Sequence, residues 1–101
     1  MRKYGKIDEN QRLIVAALRD VGASVVSLAS VGNGSPDVLC AYHGVNYLLE
    51  IKRDEKATLT DDQKIFHSHW NTPISVVITV EDALRAIGAI SKKGWNGKHA
   101  R

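Results

Sequence analysis

The sequence predicts an α/β fold, a small mixed sheet flanked by helices in the order α-β-β-β-α-β-α. Three observations carry this reading. Segments with helix-start signals alternate with short runs rich in β-branched residues. A two-residue turn signal, His43-Gly44, joins two of those runs as a hairpin. Gly22, the Gly32–Pro36 loop and Pro73 punctuate the chain between the segments.

The first helix follows Asp8 and Gln11, which are spaced as a capping box. Ile14, Ala17, Leu18 and Val21 then fall on one helical face, and Gly22 stops it. Residues 24–30 read as a strand around Val25 and Val26. Gly32-Asn33-Gly34-Ser35-Pro36 is a loop that ends where proline resets the backbone. Asp37 opens the second strand, residues 38–42, and residues 45–53 form the return strand. After a polar connection, Thr60-Asp61-Asp62-Gln63 has the form of a capping box with two acids in the first turn. This helix runs to about Trp70, where Asn71-Thr72-Pro73 breaks it. Residues 74–78 read as a buried strand, and residues 81–90 as a last helix with Ala83, Leu84, Ile87 and Ile90 on one face.

Length and composition narrow the function classes. A chain of 101 residues is one domain, residues 1–101, with 44% hydrophobic and 25% charged residues, an ordinary globular balance. The single cysteine, Cys40, excludes an internal disulfide and a cysteine zinc cage, and fits a reducing compartment. No apolar run approaches the roughly 20 residues of a membrane span. Residues 1–6 are charged with no apolar stretch behind them, unlike a secretion signal. The net charge is +3, and it is unevenly placed. A basic tail, residues 91–101, holds Lys92, Lys93, Lys98 and Arg101 and no acid, which suits a polyanionic partner.

The residues that point to chemistry are Pro36-Asp37 and Glu50-Ile51-Lys52. On a strand, Glu50 and Lys52 share a face, and Leu49 and Ile51 share the other. The hairpin brings the start of the second strand beside the end of the third, so Asp37 can approach Glu50. Two carboxylates at that distance repel each other unless a cation lies between them. Hard divalent ions take such oxygens, and the Lys52 ammonium can orient a water or stabilise charge on a phosphate. Glu9, in the first turn of the first helix, is a fourth candidate. The four side chains carry a net charge of −2, which one divalent cation neutralises.

Pro36-Asp37 with Glu50-Ile51-Lys52 resembles the PD-(D/E)xK nuclease signature, and the element order is similar to its restriction-endonuclease-like core. The likeness is closer to the VRR-NUC branch in its small stand-alone phage and bacterial form. It covers roughly residues 7–90 and includes Glu9 opening a helix, the glycine loop before Pro36, and Gln63 opening the next helix. The resemblance implies a DNA endonuclease using Mg²⁺ or Mn²⁺, similar to Holliday-junction resolvases and acting as a cytoplasmic homodimer. Asp37, Glu50 and the Ile51 carbonyl would ligate the metal, with Glu9 in direct or water-mediated contact. Lys52 would be catalytic, and Gln63 would support the site. Rival expectations are a nuclease for flaps or linear duplex, and a binding module of the same fold without catalysis.

The remaining side chains are expected to be structural. His67 and His69 lie two apart on a helix and read as solvated surface. His43 reads as a turn residue, and Cys40 as packed interior. Phe66 and Trp70, at i and i+4, read as core or subunit interface. Trp95 reads as a loosely packed aromatic of the tail.

Overall fold

The structure is a computed structural model, and it describes residues 6–91 and 98–100. Helix α1 spans Lys6–Asp20 and is followed by β1, Ser24–Ser27, β2, Val38–Tyr42, and β3, Val45–Ile51. Helix α2, Asp61–His69, leads to β4, Ile74–Val77, and α3, Val80–Ala86. This is the expected α-β-β-β-α-β-α order. A short β5, Lys98–Ala100, follows, so part of the expected basic tail is an edge strand. The sheet runs β1-β2-β3-β4-β5. Its pairs are antiparallel except β3 with β4, which are parallel and joined through α2. No helix of the described residues is long and apolar enough to cross a membrane.

The stops of α1 and α3 have the same physical form. Gly22, at φ 94°, ends α1 while its N–H reaches the Arg19 carbonyl and the Ala23 N–H reaches that of Leu18. Gly88, at φ 77°, ends α3 with the equivalent bonds to Arg85 and Leu84. These are Schellman stops, which satisfy carbonyls the helix leaves open. The second one cuts the last helix short of the expected residue 90, so Ile90 is exposed rather than on a helix face. At its other end Thr79 and Asp82 form a capping box, and Asp82 also takes the Ile78 N–H, which ends β4 at Val77. Asp8 lies inside α1 rather than capping it. The strand expected over residues 24–30 ends at Ser27, because Val31 N–H turns back to the Leu28 carbonyl.

The hairpin between β2 and β3 turns on His43 and Gly44, both at positive φ, as a type I′ turn requires. Its register sets Val38 opposite Leu49 and Cys40 opposite Tyr47. Val38, Cys40, Leu49, Ile51 and Val77 form one face of the sheet. Ile14 and Leu18 of α1 and Ala83, Ala86 and Ile87 at α3 pack against it. Glu50 and Lys52 project to the other face, under α2.

A buried carboxylate cluster at the end of the hairpin

Asp37 sits where the glycine loop enters β2. Its backbone is held on both sides, the N–H by the Leu49 carbonyl at 3.0 Å and the carbonyl by the Leu28 N–H at 2.9 Å. Its side chain reaches across to the last residue of β3, where Oδ2 accepts the Ile51 N–H at 2.6 Å. The Asp37 and Glu50 carboxylates thereby come within hydrogen-bonding reach of one another. The expected meeting of these two acids is present.

The setting differs from a half-exposed strand. Glu50 is 1% exposed and Lys52 is 8% exposed. Helix α2 covers them. Gln63 takes the Lys52 ammonium on Oε1 at 2.9 Å and donates from Nε2 to Glu50 Oε2 at 3.2 Å. The same Oε1 accepts the Thr60 N–H at 2.9 Å, so Gln63 closes the capping box and bridges the site with one amide. The capping box fixes the first turn of α2, and the turn in turn fixes the amide.

The loop before Asp37 is locked to that turn. Gly34 has φ 80°, and a Cβ at this position would run into the Asp62 carbonyl and the Gln63 nitrogen. Only glycine allows both the backbone angle and the approach. Behind the site, Asn10 of α1 donates from Nδ2 to the Lys52 carbonyl at 2.9 Å and to the Ile78 carbonyl at 2.6 Å. One side chain therefore ties β3 and β4 together just past the ends of their ladder.

His67 is the residue whose placement overturns the expectation. It is 4% exposed, not solvated, and its Nε2 lies 3.2 Å from Glu50 Oε1. The readable signal is its spacing of four from Gln63, which sets both on one face of α2. His69, two residues on, is exposed as expected. Glu9 also departs from the cluster. Its carboxylate is exposed and paired with Arg12 at 2.6 Å. Lys98 belongs to β5, while Lys92, Lys93, Trp95 and Arg101 lie outside the described residues. Phe66 and Trp70 stack with ring centres 5.2 Å apart, and Trp70 remains exposed. An open apolar groove of about 750 Å³, lined in part by Leu39, Leu48, Trp70 and Pro73, includes none of Asp37, Glu50 or Lys52.

The electrostatics of Glu50 are internally opposed. Both its oxygens face nitrogen-bearing side chains, Gln63 on Oε2 and His67 on Oε1. Yet burial, and then the neighbouring Asp37, push its pKa up to about 9, with Lys52 pulling the other way. Burial and the Lys52 charge lower the pKa of His67, which favours the neutral imidazole at pH 7. The cluster thus has the hydrogen-bonding partners of an ionised glutamate and lacks one positive charge to keep it so. A hard divalent cation joining Asp37 and Glu50 fits that deficit. Among the described residues no third His, Cys, Asp or Glu completes a protein-only cage. A cation held by two carboxylates would draw further oxygens from a main-chain carbonyl such as that of Ile51, from water or from a phosphate. Compared with known proteins, the chain matches no family model, no curated protein and no solved structure.

Proposed function

We propose that this chain is a metal-dependent endonuclease that hydrolyses DNA phosphodiester bonds, of the VRR-NUC branch of the PD-(D/E)xK nucleases. The observation that carries the reading is the buried juxtaposition of Asp37 and Glu50 with Lys52 alongside, bridged by Gln63. Asp37, Glu50 and the Ile51 carbonyl would hold Mg²⁺ or Mn²⁺. An ion held there would supply an acidified water and neutralise charge on the phosphate. Lys52 orients the attacking water and stabilises the charge that develops on the phosphoryl oxygens. Gln63 holds the Lys52 ammonium at the site, and burial of the cluster strengthens each of these interactions.

The substrate in this reading is branched DNA such as a Holliday junction, cut by a homodimer in the cytoplasm of a bacterium or phage-infected cell. Among the described residues one chain carries one such cluster, and cutting two strands symmetrically needs two; a two-fold dimer supplies them. Lys92, Lys93, Lys98 and Arg101 supply positive charge for the DNA backbone. The test is cleavage of labelled four-way and linear DNA by wild type and Lys52→Ala, with Mg²⁺, with Mn²⁺ and with EDTA. Metal-dependent cutting of the junction by wild type alone is the expected result. Equal cutting of both substrates keeps the nuclease and removes the junction specificity. No cutting with either metal leaves a binding module of the same fold.

A further inference from the structure

His67 is not among the residues that the proposed chemistry uses, yet it is buried against its central carboxylate. Its two ring nitrogens are in different situations. Nε2 faces Glu50 Oε1, while Nδ1 is buried and meets no hydrogen-bond partner among the described residues. A buried N–H without an acceptor costs more than a buried lone pair without a donor. A ring proton therefore belongs on Nε2, where Glu50 accepts it.

The consequence is a two-point clamp. Gln63 and His67, four apart on α2, each present one N–H to a different oxygen of Glu50. A carboxylate held at one oxygen can still rotate about its last bond; held at both, it cannot. We infer that His67 is a positioning residue: its Nε2–H, together with the Gln63 amide, fixes the orientation in which the Glu50 carboxylate meets the metal ion. This rests on the proposed metal-dependent reading. It gives α2 a second task beyond covering the sheet, since the rigid helix transmits its position to the ligand. Partners of this kind typically change metal affinity 10–100-fold when removed.

The experiment compares His67→Gln, which keeps an N–H donor at a similar reach, with His67→Met, which keeps bulk and loses the donor. Mn²⁺ binding to the full chain without DNA is measured by titration calorimetry, below the melting transition of each variant. Cleavage is followed in parallel as a function of Mg²⁺ concentration. The expected result is a loss of at least about tenfold in Mn²⁺ affinity for Met, with the Gln variant within about threefold of wild type. The Mg²⁺ concentration for half-maximal cleavage shifts in the same order, and His69→Met, on the exposed side of the helix, changes neither. A folded Met variant that binds Mn²⁺ as wild type does overturns the positioning role. So does equal weakening by Gln and Met, which would mark a packing effect. Wild type that binds no Mn²⁺ overturns the metal-dependent reading itself, a distinct failure.

Discussion

Gly34 and Asp62 approach so closely that no side chain fits between the loop and the first turn of α2. The contact joins the segment that delivers Asp37 to the helix that delivers Gln63. Gly34→Ala must therefore displace a backbone as well as adopt a strained angle. Gly32 has a similar positive φ of 73° but open space around it. Gly32→Ala is expected to cost about 1 kcal/mol and Gly34→Ala at least about 2 kcal/mol more. Denaturant unfolding of both variants checks this, and equal losses would refute the contact.

Lys52→Met isolates the ammonium. It removes the group that orients water but leaves both carboxylates. Cleavage is expected to fall at least about 100-fold while Mn²⁺ affinity is kept or improved. Single-turnover rates and calorimetry on the same preparation separate the two effects. A variant that still cuts at half the wild-type rate would remove Lys52 from the chemistry.

The cluster makes stability depend on pH. Glu50 holds its proton up to about 9 in the folded chain but releases it near 4.5 when unfolded. Its contribution is complete below 4.5 and is lost as pH rises toward 9, by at most about 1.4 kcal/mol per unit. His67 has a lowered pKa, so its contribution is present above 6.5 and lost as pH falls. The two slopes oppose each other just below 6.5, and of the two groups only Glu50 acts above that. In EDTA the melting temperature is expected to fall from pH 6.5 to 9, and saturating Mn²⁺ should flatten the fall. A melting temperature that does not change across that range in EDTA counts against a protonated Glu50.

Metal binding should also release a proton. At pH 7.5 the metal-free Glu50 is protonated and the ligand form is not. Calorimetry in buffers of different ionisation enthalpy is expected to give close to one proton released per ion bound. A value near zero would mean that the ion does not engage Glu50.

Local signals were readable in the sequence, and contacts across the fold were not. Gly22 and the Thr60–Gln63 capping box act within a few residues, and both are present as expected. The pairing of Asp37 with Glu50 was also readable, because a two-residue turn fixes the hairpin register. The burial of Glu50 was not, since alternation shows that Glu50 and Lys52 share a face but not that α2 lies across it. The burial of His67 is hidden for the same reason. Ile90 has correct helical spacing, yet Gly88 ends the helix first. Strand β5 has no apolar alternation to announce it, and nothing local marks Asn10 as the link between two strand ends.

That link bears on when the cluster comes into being. Asn10 bonds to carbonyls 42 and 68 positions further along the chain. A nascent polypeptide carries both acids and the lysine long before Ile78 leaves the ribosome. Until then Asn10 can grip the end of β3 but has no carbonyl beyond β4 to fasten it to. Loop closure over such separations is slow and comes late in folding. A product truncated before residue 78 therefore contains Asp37, Glu50 and Lys52 without the clasp between the two strand ends, and the working arrangement waits for Ile78.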